Sequence, residues 1–92
     1  MPMMRPLPAP DFSALVEELV DRARRDPGAE LTSLVASALP AIVDPRALLA
    51  WATDHDRHRF VVAEAAGRVC AKPREAAIFV LAAIVEERLE EP

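Results

Sequence analysis

Apolar positions recur along this chain with the period of a helix, except in one stretch where they fill every position. Phe12, Leu15, Val16, Leu19, Val20 and Ala23 fall at i, i+3, i+4, i+7, i+8 and i+11, the face of an amphipathic helix. Leu31, Leu34, Val35, Ala38 and Leu39 form a second stripe. Leu48, Trp51, Ala52, His55, Val62, Ala66 and Val69 share one sector if residues 45–70 form an unbroken helix. Thr53-Asp54-His55-Asp56 is rich in residues that cap helices and poor in those that extend them, so a break is expected there. From Ala76 to Val85 there is no polar side chain at all. Four alanines within that run and the Glu-rich tail after it favour helix over buried strand. A bilayer needs about 20 apolar residues, so this run is a core helix rather than a membrane span.

Prolines mark the boundaries. Pro27, Pro45 and Pro73 suit first helical positions, where the missing N–H costs nothing. Asp26 and Asp44 stand directly before two of them as candidate caps. Asp26-Pro27-Gly28 stops the first helix, and Pro40 ends the second near Leu39. Ile42 and Val43 are expected to pack just beyond it. Helices are therefore predicted near residues 11–25, 28–39, 45–54, 56–70 and 73–90. Leu19, Leu34, Val62, Leu81 and Ile84 are expected in one core. The fold class is all-α: a compact bundle of four to five short helices around an apolar C-terminal helix. Met1 to Pro10 alternates proline with apolar residues and predicts a flexible arm before a single helical domain over 11–92.

Composition changes this picture little. Four aromatic residues leave the core to aliphatic side chains and alanine, which suits closely packed helices. A net charge of −4 supplies no general attraction to phosphate backbones. Cys70 is the only cysteine, so no internal disulfide can form. The first ten residues hold no apolar run of the leader type, and a cytoplasmic address is the expectation.

Candidate chemistry is sparse. Asp54, His55, Asp56 and His58 are possible metal ligands, with Asp54 and His58 sharing a helix face at i, i+4 and His55 and His58 at i, i+3, but Arg57 and Arg59 beside them repel a cation. His55 reads instead as a half-buried imidazole, and no bound metal or cofactor is expected. Cys70 reads as a buried, inert thiol on the inner side of its helix beside Val69. No nucleophile elbow or glycine-rich phosphate loop is present, so neither an enzyme nor a small-molecule substrate is indicated. Arg57, Arg59, Arg68, Lys72 and Arg74 form a candidate polar contact surface. Acidic residues interleave with it and no helix-turn-helix turn glycine is evident, which counts against nucleic acid.

The function expected is that of a non-enzymatic protein-interaction or regulatory module. A small DNA-associated regulator using residues 57–74 and a metal-binding module at 54–58 are the alternatives. Phe79 carries the sharpest expectation. It lies on the side of the last helix where Ala76, Ala82 and Ala83 are small and Glu86, Glu87 and Glu90 emerge. Either the chain's own helices cover it, or a second copy does. The second option predicts a twofold homodimer with Ala76, Phe79, Val80 and Ala83 in the contact.

Overall fold

The computed structural model describes residues 11–39, 44–55 and 57–90, with residues 55, 57 and 58 described by their backbone alone. The expected arm over 1–10 and the packing of Ile42 and Val43 lie outside the described residues. Within them the chain is all-α: α1 (Ser13–Arg25), α2 (Leu31–Ala38), α3 (Pro45–His55), α4 (Arg57–Val69) and α5 (Pro73–Glu90). No strand forms among the described residues.

Local chemistry explains most of the boundaries. Asp11 accepts the Ser13 N–H at 2.9 Å and Asp44 accepts the Arg46 N–H at 3.0 Å, so each carboxylate satisfies a helix-start donor that has no partner within the helix. Pro45 and Pro73 occupy first positions as their sequence contexts predict. Glu75 sits in the first turn of α5, at the positive end of the helix dipole.

The second expected Asp-Pro start does not form. Asp26 is spent on ending α1, its N–H bonded to the Arg22 carbonyl at 3.1 Å, and its own carbonyl accepts the Ala29 N–H at 3.1 Å. Pro27 and Gly28 therefore occupy a tight turn, and α2 begins at Leu31 instead of Pro27. Leu39 takes an extended conformation, φ −71° and ψ 117°, as a residue before proline must.

α5 packs against each of the other four helices, and they contact one another as two pairs, α1 with α2 and α3 with α4. A helix touched from so many directions must be apolar nearly all round, and Ala76, Ala77, Val80, Leu81, Ala82, Ile84 and Val85 are all buried. Leu19, Leu81 and Ile84 join one core as expected. Leu34 and Val62 are half-buried at its margin instead. Val69 departs furthest, at 74% exposed. α4 turns Ala63 and Ala66 inward, and Val69 ends the helix to one side of that line.

Side-chain contacts also reach beyond each pair. Phe12 meets Trp51 edge to face, ring centroids 5.7 Å apart, joining the start of α1 to α3. Arg88 of α5 reaches Glu17 of α1 at 2.5 Å. Along single helices, Glu18 holds Arg22 at 2.9 Å and Glu64 holds Arg68 at 2.6 Å. Each has the acid four residues before the base, the favourable order. Arg25 meets Asp21 through the backbone, its Nε donating to the carbonyl oxygen.

Candidate protein-contact surface

Among the described residues, two depressions differ in character. The larger, about 1030 Å³, lies between α1 and α2. Charged side chains of both signs rim it, among them Glu18, Arg22, Arg25 and Glu30, with Leu34 at its edge. Arg22 is already engaged with Glu18 there, and the Ser37 hydroxyl donates to the Leu34 carbonyl at 3.0 Å, an ordinary bond back along the helix. Nothing in this arrangement selects a ligand.

The smaller groove, about 360 Å³, has a different character. Its floor is Phe79, Ala82 and Ala83 of α5 with Leu31 of α2, and Glu30 and Glu86 stand at its rim. α5 builds it by leaving one strip uncovered. Glu75, Phe79, Ala82, Ala83, Glu86 and Glu90 follow one another at three- and four-residue steps and so lie on one side of the helix. Phe79 is 40% exposed in the middle of this strip, and the start of α2 stands along it, with Glu30, Leu31 and Thr32 lining the groove. The chain's own helices therefore do not bury Phe79. Ala83 is half-buried beside it, whereas Ala76 and Val80 are covered by the protein's own core. Of the four residues expected in a contact, Phe79 and Ala83 face outward.

Of the five basic residues, the four with described side chains occupy different settings. Arg59 is half-buried with its guanidinium over the Trp51 ring, 4.4 Å from the centroid, a cation–π contact with a buried indole. Arg68, nine residues further along α4, projects from about the opposite side of that helix and bonds Glu64. Lys72 and Arg74 are exposed around the start of α5. The Arg57 side chain lies outside the described residues. Trp51 and Arg59 belong to different helices, and the packing of α3 on α4 brings them together.

Asp54 is exposed at the end of α3, while Asp56 and the side chains of His55 and His58 lie outside the described residues. No cluster of three metal-ligating side chains occurs among the described residues. Cys70 is a free thiol, half-buried against the core instead of fully enclosed. Among the described residues no helix is long and apolar enough to cross a membrane.

Sequence reasoning missed two further features. Leu31 and Glu30 join the Phe79 groove through the docking of α2, which no local spacing announces. On α4, Phe60 and Val61 are 46% and 55% exposed. An apolar pair within a helical run reads as core until the phase of the helix is known. Compared with known families, curated proteins and solved structures, the chain matches none.

Proposed function

We propose that this chain is a non-enzymatic helical interaction module that associates with further copies of itself through the open strip of α5, with Phe79 as the anchor. One observation carries the reading. A phenylalanine stands 40% exposed within the run 76–85, where seven of the other nine residues are buried, in a groove whose floor is apolar and whose rim is charged. Contact surfaces between proteins have this composition, an aromatic residue central and polar groups at the edge. Ala82 and Ala83 are small enough to let another helix approach closely. A reducing, cytoplasmic setting fits the lone free thiol of Cys70.

Sedimentation at micromolar concentration tests the proposal. The intact protein is expected to exceed the monomer mass, and Phe79→Asp to become a monomer with unchanged helical circular dichroism. Removing such an anchor costs about 2 kcal/mol or more of association energy. A monomeric intact protein overturns the reading.

A further inference from the structure

Among the described residues two apolar surfaces remain open, and they differ in shape and charge. The first is the Phe79 groove, concave between α2 and α5. Glu30 and Glu86 rim it, and Glu75 and Glu90 continue the same strip of α5 one turn beyond on either side. No lysine or arginine is among its lining residues. The second is the outer face of α4, which carries every other large apolar side chain exposed among the described residues: Phe60, Val61 and Val69. Val61, Ala65 and Val69 stand at i, i+4 and i+8, so they form one ridge along the helix. Arg68 lies beside this ridge with its side chain 76% exposed while it holds Glu64, and exposed Lys72 follows just past the helix end.

A twofold contact through α5 would set each groove against its own copy. Glu30, Glu75, Glu86 and Glu90 would then meet the same four carboxylates, a like-charge encounter that disfavours association. It would also leave the α4 ridge uncovered. A contact between unlike surfaces has neither drawback: ridge enters groove, apolar meets apolar, and Arg68 and Lys72 arrive where the carboxylates are.

We infer that α4 of one copy seats in the acidic Phe79 groove of the next, so that the protein assembles head to tail. This rests on the reading that the groove is a self-association surface. A contact of this kind leaves a free ridge at one end and a free groove at the other, and so produces a ring where the rotation closes or a chain where it does not.

Sedimentation of the full chain, of Phe79→Asp, of Val61→Asp and of an equimolar mixture of the two variants tests the inference. Val69→Asp serves as a second ridge variant, and circular dichroism checks that all remain folded. The intact protein is expected to assemble, and each variant alone to associate at least about tenfold more weakly. The mixture is expected to recover a one-to-one complex and nothing larger, because one partner keeps its ridge and the other its groove. Added salt is expected to weaken the assembly, since opposite charges meet across it. If Phe79→Asp is monomeric while Val61→Asp and Val69→Asp assemble like the intact protein, the head-to-tail arrangement is wrong and self-association through α5 stands. A mixture that stays monomeric, or an assembly that salt strengthens, also overturns the arrangement. A monomeric intact protein, or an assembly indifferent to Phe79→Asp, overturns both readings.

Discussion

Leu81 and Gly67 represent the two kinds of residue that decide stability here. Leu81 is completely buried where α5 meets its neighbours, so Leu81→Ala removes methyl groups whose space the surrounding helices cannot fully reclaim. A loss of about 2 to 5 kcal/mol is expected in urea denaturation, and a loss under about 1 kcal/mol would mean that the site collapses without cost. Gly67 is the opposite case. It sits inside α4 with no positive φ, and no atom lies within 4 Å of the position its Cβ would take. Gly67→Ala should therefore raise stability by about 0.4 to 1 kcal/mol, because alanine has less unfolded freedom to lose. An unchanged or lowered midpoint would count against this. The sequence made Leu81 legible, since an aliphatic residue within ten consecutive apolar positions has no polar side to turn to. It did not make Trp51 and Arg59 legible as partners. Their contact depends on how two helices lie against each other, and spacing within one helix carries no trace of that.

At the scale of elements, the prolines and aspartates placed the helix starts wherever their backbone groups were free to act as caps. Asp44-Pro45 behaves as its sequence suggests, while Asp26-Pro27 does not, because Asp26 is already bonded to the end of α1. Between elements, Glu17 and Arg88 pin α1 to α5. The Arg88 hydrogen bond holds the Glu17 carboxyl below the usual glutamate range; desolvation pulls the other way, and the charges of Arg88 and Arg24 add to the lowering. A carboxyl with a lowered folded pKa contributes stability above its unfolded value and loses that contribution as pH falls through the folded one. Glu17→Gln is thus expected to be less stable than the parent protein at pH 7. The difference should shrink as pH drops from the ordinary glutamate range, about 4.3, towards about 2. The effect should be small, because Glu17 is exposed. Paired urea titrations across that range would check it, and a difference that persists at the acid end would remove the pair as its cause.

For the whole molecule, the identity of the central helix was legible because α5 alone lacks a polar side through its middle. The groove upon it was legible only in part. Phe79 stood out among small neighbours, but the wall supplied by Glu30 and Leu31 exists only once α2 is docked. The α4 ridge stayed hidden because the sequence leaves the phase of that helix open after Thr53-Asp54-His55-Asp56. The position of α5 in the chain has a further consequence, for the moment of synthesis. Translation delivers α1, α2, α3 and α4 first, two pairs of helices whose inner faces have no common surface to bury until residues 76–85 follow. Helices of 8 to 13 residues are marginal alone in water. The nascent chain should thus stay open, its apolar stripes available to chaperones, until its last quarter emerges, and then fold in one step. A fragment ending at Lys72 should accordingly show little helix by circular dichroism and no cooperative melting transition. Were that fragment to melt cooperatively, one of the two pairs would possess a core of its own.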